Sequence, residues 1–81
     1  MENNKMKVKL CGIKQVSKFI SVARFFKSRV YVISENKKLD AKSILCVFNL
    51  NYLEDDIYVQ IDSKDDKEIE KFRFMMEEFE G

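Results

Sequence analysis

Arg29-Val30-Tyr31-Val32-Ile33-Ser34-Glu35-Asn36-Lys37-Lys38-Leu39-Asp40-Ala41-Lys42-Ser43-Ile44-Leu45-Cys46-Val47-Phe48-Asn49-Leu50 reads as strand, turn, strand and capped helix in a single run. Residues 29–34 are β-branched and aromatic, the composition of a strand. Glu35-Asn36-Lys37-Lys38 is polar enough to turn the chain, without the Asn-Gly pair of a tight hairpin. A short returning strand is predicted from Lys38 to Ala41. Ser43 then precedes an apolar run, the position from which a hydroxyl accepts from the free N–H groups of a helix start. That short helix is apolar almost all round, and two turns at the edge of a small domain cannot bury every face. Val47 and Leu50 are expected in the core, with Ile44, Leu45 and Phe48 at least partly exposed.

Working outward, Met6-Lys7-Val8-Lys9-Leu10 alternates apolar and basic residues, the period of a half-buried strand. Val16, Phe19, Ile20, Ala23 and Phe26 recur at three- and four-residue steps and predict a helix from about Ile13 to Lys27. Lys14, Lys18 and Arg24 lie off that stripe, and Phe25 falls opposite it. On the other side of the central run, Ile57-Tyr58-Val59-Gln60-Ile61 alternates again, with its aliphatic residues inward. Asp65, followed by Glu68, has the spacing of a capping box, and the helix it opens buries Ile69, Phe72, Met76 and Phe79. Phe74 points away from that stripe. The order β-α-β-β-α-β-α describes an α+β two-layer sandwich in which the first and last helices pack on one sheet face.

Eighty-one residues are expected to form one domain, residues 1–81, with a small and only marginally stable core. At 46% apolar and 36% charged, the composition is that of a soluble globular chain. No apolar run approaches the roughly 20 residues of a membrane span, so membrane insertion is not expected. Met1-Glu2-Asn3-Asn4-Lys5 lacks the pattern of a secretory signal. Cys11 and Cys46 are far apart and there is no histidine, so neither a metal site nor a cofactor is expected, and the compartment reads as cytoplasmic. No glycine-rich phosphate loop or internal repeat occurs. Residues 1–43 carry eleven bases against three acids, and residues 44–81 four bases against eleven acids. In one small domain the two halves are expected to face each other and partly neutralise. A basic half can also attract an anionic polymer, and the lysines of the first strand and helix, with Phe25 among them, offer that alternative. Without an aromatic RNA-binding motif and with a net charge of +1, nucleic acid is not the expected partner.

The stretch Ala41-Lys42-Ser43-Ile44-Leu45-Cys46-Val47-Phe48-Asn49-Leu50 resembles the HPr family, the histidine-containing phosphocarrier proteins of the bacterial sugar phosphotransferase system. It is similar to the family's Lys-Ser-Ile-Met segment and the helix that follows, and it aligns without gaps from Val30. The resemblance implies an HPr-like open-faced sandwich: a four-stranded antiparallel sheet in the order 1-4-2-3, with three helices on one face. In the family a first-loop histidine takes phosphate from enzyme I and passes it to sugar-specific components. Here Gly12 or Lys14, depending on the alignment, stands at that position, and the family's proline is missing as well. A protonated lysine has no free lone pair to accept a phosphoryl group, so the family's transfer chemistry is excluded and no enzyme activity is expected.

What the resemblance leaves is a regulatory, partner-docking role. It makes Ser43 a candidate for phosphorylation by an HPr kinase and Ile44, Leu45 and Phe48 the docking patch, with Lys14 and Lys18 as a basic rim. The partners it implies are phosphotransferase-system components, the kinase or a transcriptional regulator, met by a monomer. A second alternative is a carrier with a substitute acceptor at Cys11, beside the lost histidine's place.

Overall fold

The alternation of residues 57–62 fixes where the core lies, because Ile57, Val59 and Ile61 are all buried on one face of a central strand. The computed structural model describes residues 4–34, 37–48 and 56–81. In chain order these form β1 (Lys5–Val8), α1 (Ile13–Arg24), β2 (Arg29–Ser34), β3 (Lys37–Asp40), α2 (Ile44–Phe48), β4 (Ile57–Asp62) and α3 (Asp66–Met76). A 3₁₀ turn over Glu77–Phe79 follows α3. The four strands make one antiparallel sheet in the order β1-β4-β2-β3, as the resemblance implied.

One sheet face carries Met6, Val8, Val30, Val32, Ile57, Val59 and Ile61, all buried. The helical stripes close over it: Val16, Phe19, Ile20, Ala23 and Phe26 from the first, Phe72, Met76 and Phe79 from the last. Phe19 meets Phe79 edge-on at 5.5 Å between centroids, and Phe26 meets Phe72 at 5.7 Å. These pairs tie the first helix to the last, and edge-to-face geometry adds about 0.5–1.5 kcal/mol each beyond the area buried.

The expected charge pairing across the two halves is present. Lys18 Nζ lies 2.9 Å from Glu78 on the far side of the α1–α3 contact, and Lys7 Nζ lies 3.3 Å from Asp56. Both pairs are solvent-exposed, so each contributes at most about 1 kcal/mol.

Element ends differ from the periodicity in small ways. The first helix stops at Arg24 rather than Lys27, because Phe25 N–H and Phe26 N–H bond three residues back, to Val22 and Ala23, and tighten the last turn. The first strand ends at Val8, although Leu10 is buried beyond it. The returning strand runs Lys37–Asp40, with Ala41 N–H still bonded to the Val30 carbonyl at 2.9 Å. Glu80 bridges to Val8, so the outer edge of β1 is paired as well. The expected turn at Glu35-Asn36 and the expected burial of Leu50 lie outside the described residues.

Among the described residues, no helix covers the other sheet face. Its register sets two rows across the strands, Lys7-Tyr58-Ile33-Lys38 and Lys5-Gln60-Tyr31-Asp40.

Candidate functional site

The start of α1 is built on a backbone conformation that side chains disfavour. Gly12 is the N-cap, at φ 101° and ψ 170°, a region populated essentially by glycine alone. There is open space around its α-carbon, so the constraint is torsional rather than steric crowding. A histidine placed at Gly12 would carry that torsional cost. With no side chain at the cap, Gln15 reaches back instead: its Oε1 accepts from the Cys11 N–H at 2.6 Å, and Val16 N–H closes the first turn onto the Gly12 carbonyl. Cys11 is exposed, as are Ile13 and Lys14.

Ser43 does cap the second helix. Its Oγ accepts from the Cys46 N–H at 3.4 Å, a long bond, while its carbonyl accepts from Val47 N–H at 3.1 Å. The turn before it is pinned from both sides. Lys42 N–H donates to the Asp40 carboxylate at 2.8 Å, and Lys42 Nζ donates to the Phe26 carbonyl at 2.6 Å. Arg24, at the end of α1, donates from Nε to the Lys42 carbonyl at 3.0 Å. This places a guanidinium beside the cap, which the helical stripe alone did not identify as part of the site; its only sequence signal was a basic residue off the apolar face.

The residues after the cap divide as expected. Val47 is fully buried, whereas Leu45 is 79% exposed, Ile44 48% and Phe48 38%. Three large apolar side chains on one five-residue helix thus face water together. Lys18, expected on the rim of this patch, is engaged with Glu78 of the last helical turn. The basic groups held near Ser43 are Arg24 and Lys42.

Among solved structures the chain is similar to a crystal structure of HPr-C-His from Thermoanaerobacter tengcongensis, with a TM-score of 0.69 over 91% of this chain and 88% of that one, at 23% identity. The fold is the HPr fold. No protein-family model matches the sequence, and no curated protein matches it. In this chain the exposed α2 surface follows directly on the Ser43 cap, and the sequence contains no histidine.

Proposed function

We propose that this chain is a non-catalytic, HPr-like regulatory protein that docks protein partners through α2 and has no phosphocarrier chemistry of its own. The observation that carries the reading is the exposure of Ile44, Leu45 and Phe48 immediately after the Ser43 cap. Apolar side chains presented together at the start of a helix cost solubility, and a patch of this kind marks an interaction surface. The partners are those of the sugar phosphotransferase system and its regulation, in keeping with the resemblance and the shared fold. An imidazole acceptor is excluded by composition.

Ser43 is the proposed point of control. A phosphoryl group on its Oγ would add between one and a half and two negative charges near neutral pH, at the positive end of α2. Arg24 and Lys42 supply the cationic surroundings. The modification would therefore change the charge of the docking surface without rebuilding it. Incubation with an HPr kinase and ATP, followed by intact mass, tests this directly. The expected result is one added phosphoryl group, absent from Ser43→Ala. No gain, or a gain that survives Ser43→Ala, contradicts the assignment.

A further inference from the structure

The uncovered sheet face brings together residues that are far apart in sequence and belong to neither helix surface. Tyr58 lies on β4 and Tyr31 on β2, the two central strands. Tyr31 is opposite Gln60 and Tyr58 opposite Ile33, so the two rings occupy a diagonal cross-strand pair. Such a pair stands about 7–8 Å apart between backbones, within reach of two large rings. Both tyrosines are partly exposed.

Cations bracket the rings from both edges of the sheet. Lys5 Nζ on β1 lies 5.0 Å from the Tyr58 centroid, and Lys38 Nζ on β3 lies 4.4 Å from that of Tyr31. Lys7 continues the β1 row, two residues on from Lys5 and therefore about 7 Å further along the strand. A shallow groove runs along Lys5, Met6, Lys7 and Tyr58, and a second one opens between Arg29, Tyr31, Asp40 and Lys42. Three carboxylates of the described residues lie on this face and its rim, each beside a basic residue. Asp40 accepts from the Lys42 backbone N–H, Asp56 pairs with Lys7, and Asp62 lies opposite Arg29 in the ladder.

We infer that this face binds single-stranded nucleic acid, with bases stacked on Tyr58 and Tyr31 and phosphates held by Lys5 and Lys38. The chemistry that recognises a single strand is a set of exposed aromatic rings on a flat surface bordered by cations. A four-stranded antiparallel sheet with one open face supplies that surface. A duplex keeps its base faces stacked inside, so it would meet the lysines through phosphate but offer nothing to stack on the rings. The basic surface expected from sequence ran from the first strand onto the first helix. In the folded chain those lysines divide between the open sheet face and the helical layer, and the two tyrosines complete the sheet-side half.

The test uses the intact chain, which contains no tryptophan and three tyrosines, so its intrinsic emission reports largely on this face. Labelled oligothymidine and oligouridine of about twelve nucleotides are titrated at low salt, with a duplex of equal length as comparison. The expected result is saturable binding with quenched tyrosine emission, at least tenfold tighter for single strands than for duplex. Tyr31→Ala and Tyr58→Ala should each weaken it about tenfold, while the Tyr→Phe variants retain it. Lys5→Glu with Lys38→Glu gives a second route that leaves both rings in place, and should abolish binding. The relative affinities for oligothymidine and oligouridine show whether DNA or RNA is preferred. Absence of binding, equal affinity for duplex, or affinity unchanged by the tyrosine and lysine substitutions overturns the inference.

Discussion

Gly12 shows how one residue constrains the chemistry of its neighbourhood. Its backbone sits at φ 101°, where an L side chain costs of order 1–3 kcal/mol. Gly12→Ala, which adds only a methyl group into open space, should therefore lower the unfolding free energy by an amount in that range, measured by urea denaturation. An unchanged midpoint would mean that the loop relaxes freely. Glu68 is the second residue whose surroundings matter. The Asp65–Glu68 spacing predicts a capping box; Asp65 does cap the helix, but its carboxylate accepts from Lys67 N–H at 3.0 Å, one residue before the box position. Glu68 turns elsewhere: Ser28 Oγ donates to it at 2.5 Å and Ser28 N–H at 3.3 Å, across to the turn before β2. The Ser28 hydroxyl first, and that of Ser63 next, hold its pKa below the ordinary carboxylate range. A carboxylate depressed on folding stabilises the fold above its unfolded pKa, and that share is lost as pH falls through the lower folded value. Wild-type stability should consequently decline more steeply below about pH 4.5 than that of Glu68→Gln, followed by thermal unfolding across pH. Parallel profiles would contradict it. Periodicity and spacing expose which residues are buried, because burial follows from period alone. A torsion at Gly12 and a partner forty positions away from Glu68 are set by tertiary structure, and no local pattern carries them.

At the level of elements, most of the chain follows from alternation and helical stripe. Residues 29–34 form the strand their composition predicts, and the stripes of both long helices are buried as spaced except at Ile69, which is only partly buried. Ends shift by one to three residues, because they are decided by the last few hydrogen bonds rather than by the pattern of side chains. The second helix is the informative element. Its composition is that of core, yet its position at the edge of a small domain leaves three of its apolar side chains in water. Phe25 was also expected outside the core, and it is 55% exposed, with Lys71 Nζ 4.8 Å from its ring. The contact joins a residue of the basic half to the helix of the acidic half, which no sequence spacing would indicate.

For the whole molecule, the element order placed the first and last helices on one sheet face, but the sheet order was legible only through the resemblance around Lys42-Ser43-Ile44, since alternation says which face is buried but not which strands are neighbours. The pairing of Tyr31 and Tyr58 was not legible at all, because it depends on the register between β2 and β4. Stability is shared between the layers through the aromatic contacts of the helices. Phe72 is completely buried and meets Phe26 edge-on, so Phe72→Ala should cost about 3–5 kcal/mol. At roughly 0.05–0.15 kcal/mol per residue in total, a chain this short would lose much of its stability, seen as a large fall in melting temperature by circular dichroism. A shift of only a degree or two would mean that the core repacks. The functional account rests on one surface, α2, and the exposed Phe74 on α3 offers a comparison away from it. Phe48→Glu and Phe74→Glu both place a carboxylate at an exposed ring, the first on α2 and the second, 75% exposed, on α3. Calorimetric titration with an HPr kinase and with enzyme I should show binding by wild type and Phe74→Glu and its loss in Phe48→Glu. Equal binding by both variants, or no binding by the wild type to either protein, would contradict the docking role of α2.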